Sequence, residues 1–251
     1  MKRYVFAFAP LALVTAAVIG VDATQDDVER ISRTLPFNAG GTLHLKSFSG
    51  RVNISAADRQ DVLIEAVRRA PRERLDHIKL EIRGGGDDIY IEANRRDSIW
   101  WRHNNVVETD FDIRVPRRTN VDVSVFSAGV TVLGVDGVHR VSGFSSRLMF
   151  DDVNGSVKAH TFNGPVEVHS PEWRDGQDVD IDTFSGNVSM RVPDSARGSV
   201  SFNSFSGHLN SQLPLTLEDG GRRSLRAHLG GSADGGRLRF KTFSGSVQID
   251  R

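Results

Sequence analysis

The sequence predicts an all-β protein, a β-solenoid built from stacked two-strand repeats. Three observations indicate this fold: a recurring Phe-Ser-Gly phrase, apolar residues at every second position on both sides of it, and a spacing of 18–22 residues between most neighbouring copies. Alternation with period two is typical of β-strands that have one buried face. A unit of about 20 residues is too short to bury that face alone, so neighbouring units must stack.

Seven copies of the phrase align without gaps when each Phe is taken as position zero. Apolar residues recur five and three positions before it and four and six positions after it. The aligned aromatic residues are Phe48, Phe126, Phe144, Phe162, Phe184, Phe205 and Phe243. Two positions later, most copies carry a glycine, which allows backbone angles that other residues avoid: Gly50, Gly164, Gly186, Gly207 and Gly245. One copy has its glycine shifted to Gly129 and another has Ser146 instead, so these two corners should differ.

The aromatic residue of each repeat decides between two ways of stacking. Parallel repeats about 4.8 Å apart would place each Phe directly over the next. An antiparallel β-sandwich or barrel would leave the rings on exposed hairpin tips, which is costly. We therefore favour the solenoid, with the rings turned inward and following the order of the sequence, and keep the antiparallel β-sandwich as the alternative.

Two longer gaps between copies predict additional elements. Between Phe205 and Phe243, alternating leucines flank the segment EDGGRR, which indicates a long hairpin or one degenerate repeat. Between Phe48 and Phe126, four apolar runs indicate strands, and Pro71 indicates a short helix that ends near His77. We assign 60–118 to a widened or capping part of the same sheet, within a single domain that spans 24–251.

The first residues have the pattern of a secretory signal peptide. Lys2 and Arg3 precede an apolar segment from 4 to 20, and small residues at 21–23 offer a cleavage site. An uncleaved anchor is the alternative, because 17 apolar residues reach the lower limit for a membrane span. Pro10 within the segment favours cleavage after residue 23. We expect an exported protein, periplasmic or extracellular, with no integral membrane span after cleavage.

Composition restricts the chemistry of the chain. The 251 residues include 32 basic and 32 acidic side chains, a formal net charge of zero that argues against a nucleic-acid partner. Cysteine is absent, which excludes disulfides and thiolate chemistry.

Several segments resemble a known family. These are the repeated TFSG phrase, RVPRRTNVDV at 114–123 and HLGGSADGGRLRFKTFSGSVQI at 228–249. Together they are similar to the putative-adhesin family of β-strand-repeat proteins, a domain of unknown function, over roughly residues 35–251. The resemblance implies a right-handed β-helix-like fold and an exported location, and it supplies no catalytic residue.

Motifs for catalysis or cofactor binding are missing from the sequence. The hydrolase elbow, the zinc-protease helix motif and the phosphate loop do not occur, so we expect no catalytic residue, cofactor or metal. GGSADGG at 230–236 is one copy of a pattern that calcium solenoids repeat several times. Asp178, Asp180 and Asp182 share one face of a strand, and we interpret that face as solvated and neutralised by Lys158 and His160.

Two loops hold candidate partner-binding residues. Adjacent Trp and Arg side chains stack on sugar rings or on proteins. They occur as Trp100, Trp101 and Arg102 in loop 93–106 and as Trp173 and Arg174 in loop 170–177. Alternatively, Trp100 or Trp101 caps an open end of the core.

These patterns favour a non-enzymatic cell-envelope protein, a scaffold for binding protein or glycan in the manner of an adhesin. One alternative is a carbohydrate-active enzyme on a β-helix. Another is a structural component that self-associates through exposed sheet edges. The sequence does not name the partner.

Overall fold

The computed structural model describes residues 26–96, 106–221, 223–232 and 234–251. The prediction of an all-β chain is confirmed, and the strands belong to one sheet in which parallel and antiparallel pairings both occur. Within the described residues, no helix is long and apolar enough to cross a membrane. The predicted signal peptide, residues 1–23, lies outside them.

One short helix, α1 (Arg72–His77), accompanies the strands of the described residues. The strands are β1 (Asp27–Ala57), β2 (Asp61–Ala70), β3 (Ile78–Arg96), β4 (Glu108–Pro116), β5 (Asn120–Leu133), β6 (His139–Ser145), β7 (Leu148–Asp151), β8 (Val157–Asn163), β9 (Val166–His169), β10 (Asp178–Ser185), β11 (Val188–Arg191), β12 (Gly198–Ser204), β13 (Leu209–Ser211), β14 (Leu215–Gly220), β15 (Ser224–Leu229), β16 (Gly236–Thr242) and β17 (Val247–Asp250).

Equivalent strands of neighbouring repeats pair in parallel, as the alignment predicts. β1 pairs with β5, whose two halves pair with β6 and β7. The series continues through β8 and β9 to β10 and β11. The register keeps each apolar column in line, since Val121 pairs with His139, His139 with Val157, and Val157 with Val179.

The last repeat of the sequence is not the last repeat of the stack. β16 lies between β10 and β12, and β17 lies between β11 and β13. This insertion corrects the expectation that the repeats follow the order of the sequence. In this order the outward faces match in charge: the aspartates of β10 face basic residues of β16 in three ion pairs of 3.4–3.7 Å, Asp178–Arg237, Asp180–Arg239 and Asp182–Lys241. The outward residues of β12, by contrast, are Ser199, Ser201 and Asn203.

Additional strands follow at both ends of the repeats. The predicted hairpin is present as β14 and β15, and β15 covers β12 in antiparallel pairing. At the other end, β3 and β4 pair with β1 in parallel, while β2 pairs with β1 and β4 in antiparallel. The predicted helix is α1, and its Leu75 packs with Ala70, Ile78 and Val107. Two of the four predicted strands, with apolar residues at 78, 80 and 82 and at 89 and 91, form one continuous strand, β3.

Period two places one side of most strands in the core, whereas β13 and β14 have no buried residue. Phe111, Phe150 and Phe240 are among the largest wholly buried side chains. A polar residue, His139, occupies a position that is Val121 or Val157 in the neighbouring repeats, and it is wholly buried.

Candidate binding surface

The Phe-Ser-Gly phrase forms a corner at which the chain passes from one strand of a repeat to the next. The residue before Phe points inward, as Thr161 and Thr183 do, and both are buried. Since successive side chains alternate across a strand, the following Phe points outward. The glycine two positions later allows the corners of neighbouring repeats to come close together. A Cβ atom at Gly186 would lie 2.0 Å from the carbonyl oxygen of Gly164.

The outward phenylalanines stack in one continuous column, which we call the Phe ladder. Its order is Phe48, Phe126, Phe144, Phe162, Phe184, Phe243 and Phe205, with ring centroids 4.7–5.0 Å apart. The rings are nearly parallel, with interplanar angles of 1–16°. Each ring therefore covers the faces of its neighbours and exposes its edge.

The Phe ladder lies on the outside of the protein. Its seven side chains are 37–52% exposed, and they make up most of the large exposed apolar residues in the described part of the chain. This corrects the expectation that the rings turn inward. The alternation of the strands determines their side, and stacking of ring on ring shelters the faces that would otherwise contact water.

The two ends of the Phe ladder differ in charge: a single guanidinium covers one end, and a balanced group of ion pairs borders the other. Beyond Phe205, the guanidinium of Arg223 lies 4.2 Å from the ring centroid and covers its outer face. Beyond Phe48, the neighbouring strand is β4, and a Cβ atom at Gly50 would lie 2.2 Å from the carbonyl oxygen of Thr109. Glu108 and Asp110, which flank Thr109, border this end, and both are ion-paired with basic residues: Arg69 with each of them, and Arg51 with Asp110.

Small polar residues border the Phe ladder along its length. The residue after each Phe is Ser49, Ser127, Ser145, Asn163, Ser185, Ser244 or Ser206. On the other side, two positions before Phe, lie Lys46, Ser124, Ser142, His160, Asp182, Lys241 and Asn203. An apolar column with a largely neutral polar border has the anatomy of a protein interface.

The geometry of the rings also bears on which ligands they can bind. Sugars stack on the faces of aromatic side chains, but in the Phe ladder the interior faces are already occupied by neighbouring rings 4.7–5.0 Å away. The exposed edges instead offer apolar contact to side chains of a protein. The ladder is thus better suited to apolar protein side chains than to glycans.

Of the two loops predicted to bind a partner, 93–106 and 170–177, the structure describes the second completely and the first only at its ends. Trp100, Trp101 and Arg102 lie outside the described residues. Trp173 is half-buried: its indole nitrogen donates a 2.7 Å hydrogen bond to the carbonyl of Arg197, and its ring packs against Gly236. Arg174 is exposed and hydrogen-bonds to Glu172. The structure therefore ties Trp173 to the inserted last repeat and leaves Arg174 at the surface; partner binding by either residue stays a prediction.

The acidic residues of β10 are engaged with the inserted strand. Asp180 and Asp182 do lie beside Lys158 and His160 in register, but their ion pairs are with Arg239 and Lys241. Within the described part of the chain, no three His, Asp or Glu side chains are grouped so that they could hold a metal ion.

The exposed position of the Phe ladder changes the expected cost of truncating it. Phe184→Ala should lower the free energy of unfolding by about 1–2 kcal/mol, since the ring stacks on two neighbours and its removal opens no buried cavity. Phe243→Ala should match it, because Phe243 also stacks on two rings. Phe205→Ala should cost about 1 kcal/mol, because Phe205 stacks on a single ring and has only the guanidinium of Arg223 over its other face. Denaturant melts of the three variants measure this order, and a decrease above about 4 kcal/mol for Phe184→Ala would place that ring in the core instead.

Comparison with known proteins gives a likeness in fold. No family model matches the chain, and no curated protein matches it in sequence. Among solved structures, a putative cell adhesion protein from Clostridium sporogenes is similar with a TM-score of 0.55 and 13% identity, over 89% of this chain and 99% of that one. This likeness supports, at the level of fold, the resemblance to putative adhesins.

Two further solved structures are more distant. A putative adhesin from Bacteroides fragilis has a TM-score of 0.29 and 9% identity, over 88% of this chain and 97% of its own. A putative lipid binding protein from Parabacteroides distasonis has a TM-score of 0.28 and 10% identity, over the same shares. At these TM-scores, nothing further follows from either.

Proposed function

We propose that this chain is a non-enzymatic, exported cell-envelope protein, an adhesin-like β-solenoid scaffold that docks another protein on its Phe ladder. The observation that carries the proposal is the ladder itself: seven stacked rings, 37–52% exposed, in one uninterrupted column. Exposing that much apolar surface is unfavourable unless a partner covers it.

The size of the surface supports a protein partner. With about 200 Å² for a whole Phe side chain, the exposed parts of the seven rings amount to roughly 600 Å². This is at the upper end of the apolar patches found on monomers, about 300–600 Å². It approaches the share of about 800 Å² that one partner contributes to a stable interface, and the bordering serines extend it.

Several features support the solenoid and its export. Neighbouring repeats pair in parallel at each step, and their apolar columns stay in line, as a winding chain requires. The Lys2-Arg3 start, the apolar segment and the small residues at 21–23 favour export of the chain. The solved neighbour from Clostridium sporogenes carries the description of a putative cell adhesion protein, which is a role of the same kind.

The proposal that the protein is not an enzyme rests on its acidic side chains, which already form ion pairs within the protein. A β-helix enzyme that cleaves polysaccharides needs carboxylates that are free to act on a substrate. Asp178, Asp180 and Asp182 form the most regular acidic row, and each is ion-paired with a residue of β16. This row therefore serves to fix the inserted repeat.

A triple substitution tests the ladder as a docking surface. In Phe144→Thr/Phe162→Thr/Phe184→Thr, the apolar column is interrupted over three adjacent repeats, and we expect ladder-dependent binding to fall by at least about 100-fold. The matched control is Met149→Thr/Glu167→Thr/Ser189→Thr, which alters outward positions of the same three repeats away from the ladder. Both proteins are compared with the parent protein by capture from envelope extracts, followed by affinity measurement with each purified protein that is captured and with the protein itself.

The binding comparison requires that the ladder variant and the control are both folded. Circular dichroism and melting temperature are measured first, and the ladder variant should lose several degrees and remain cooperative. Equal binding by the parent protein, the ladder variant and the control would refute docking on the Phe ladder.

A further inference from the structure

We propose that the partner of the Phe ladder is a second copy of this chain, with the two ladders packed against each other in opposite directions about a two-fold axis at Phe162. This inference rests on the proposed function, because it assumes that the ladder is a protein-docking surface. Phe162 is the fourth of the seven rings, so the arrangement pairs the first ring of one copy with the last ring of the other.

The spacing of the rings supports a second copy. In the ladder, side chains recur every 4.7–5.0 Å. An extended peptide presents side chains on one face every 6.7 Å or so, which falls out of step after about two residues. Another ladder has the same period, so the two columns stay in register from end to end.

The charges at the two ends select the direction. With the ladders in opposite directions, Arg223 at the Phe205 end of one copy meets the ion-paired group at the Phe48 end of the other, which includes the exposed carboxylate of Glu108, and this contact occurs twice. With the ladders in the same direction, Arg223 of one copy meets Arg223 of the other. Like charges placed opposite each other disfavour an interface strongly, so the opposite-direction arrangement is preferred.

The border of the ladder gives the same preference. In the opposite-direction arrangement, Lys46 faces Asn203. On the other side of the ladder, three positions after Phe, Arg51 faces His208, so no like charges are paired at these positions. In the same-direction arrangement, Lys46 of one copy faces Arg51 of the other. At the centre of the preferred arrangement, His160 of one copy faces His160 of the other.

The absence of cysteine makes a direct test possible. His160→Cys should form a disulfide-linked dimer under mild oxidation, because the axis brings the two new cysteines together. Lys46→Cys alone should stay uncrosslinked, and a mixture of Lys46→Cys with Asn203→Cys should give a heterodimer. Crosslinking of Lys46→Cys alone as efficiently as of His160→Cys would overturn the proposed geometry.

Charge substitution tests the ends of the interface. In sedimentation equilibrium, the purified exported protein should be a dimer. Arg223→Glu should weaken the dimer and raise its dissociation constant about tenfold. The double variant Arg223→Glu/Glu108→Arg should recover most of that affinity. A Glu167→Thr variant, altered outside the ladder, should dimerise as the parent protein does.

Two outcomes separate this inference from the proposed function. A monomeric parent protein at high concentration, with capture of another protein still abolished in the triple ladder variant, would overturn self-pairing and leave docking in place. A dimer that persists unchanged in the folded triple ladder variant, together with unchanged capture of other proteins, would overturn both.

Discussion

Gly186→Val is expected to lower the free energy of unfolding by at least about 3 kcal/mol. A side chain at this corner would begin 2.0 Å from the carbonyl oxygen of Gly164 and 2.8 Å from the hydroxyl of Thr183. Both obstacles belong to the stacked sheet, in which the backbone is held by parallel neighbours on two sides. The cause is therefore close approach between repeats. A left-handed backbone angle is not involved at Gly186, although Gly50 and Gly164 have positive φ values of 107° and 139°.

Gly129→Ala is the matched control for this substitution. Gly129 follows the corner of the Phe126 repeat, and a Cβ atom at this position would have no neighbouring atom within 4 Å. Alanine should therefore be tolerated there within about 0.5 kcal/mol. Denaturant melts of the two variants give the comparison. A Gly186→Val protein as stable as the parent would show that the corners are further apart than the stacking requires.

The Phe144 corner suggests how the close approach can be relieved. Here the glycine is replaced by Ser146, and the residue before Phe is Gly143 in place of threonine. A Cβ atom at Gly143 would lie 2.5 Å from that of Ser146, so the two positions share one space. Adding Thr183→Gly to Gly186→Ser should therefore recover part of the stability that Gly186→Ser loses alone.

Acid is expected to destabilise the protein through His139, by about 3 kcal/mol between pH 6.5 and pH 4. Burial lowers the pKa of His139 to about 4, and the backbone of Val135 and the carboxylate of Asp136 offset this only in part. Neither ring nitrogen makes a hydrogen bond of ordinary geometry with the described residues. Since the unfolded chain takes up the proton near pH 6.5 and the folded chain only near pH 4, stability falls as the pH is lowered through this window.

His139→Val removes the titrating group and supplies the residue found at the neighbouring positions Val121 and Val157. The unfolding free energy of this variant should exceed that of the parent protein at pH 5, and the difference should shrink toward pH 7. His160→Gln, at an exposed position, should retain the slope of the parent protein. If His139→Val and the parent protein lost stability in parallel from pH 6.5 to pH 4, His139 would not be the acid-sensitive group.

The sequence allowed the repeat and its parallel stacking to be predicted, because both depend on local alternation and on the frame around Phe. The same alternation also determines the direction in which the rings point. The residues five, three and one positions before Phe184, namely Val179, Ile181 and Thr183, point inward, so Phe184 must point outward. The hydrophobicity of Phe favoured the opposite interpretation, and the alternation of the strand outweighs it.

The order of the repeats was harder to predict, since every repeat offers the same backbone hydrogen bonds to any other. The signal that distinguishes them is the pairing of Asp178, Asp180 and Asp182 with Arg237, Arg239 and Lys241. Each pair is separated by 59 positions in the chain, and the match becomes visible only when the outward faces are compared. The Phe ladder was not predicted as a binding surface because the hydrophobicity of Phe favoured rings that point into the core. The structural contact of Trp173 could not be predicted, because its hydrogen bond is to Arg197, which is distant in the sequence.

Hydroxyl-radical footprinting of the seven ladder residues tests the docking surface most directly. The protein is oxidised once in dilute purified form and once in the intact cells that produce it, and peptide mass spectrometry compares the two. We expect Phe144, Phe162, Phe184 and Phe243 to be oxidised readily in the dilute protein and to be protected in the cells, where a partner covers them. Equal oxidation of these rings in both samples would contradict the account.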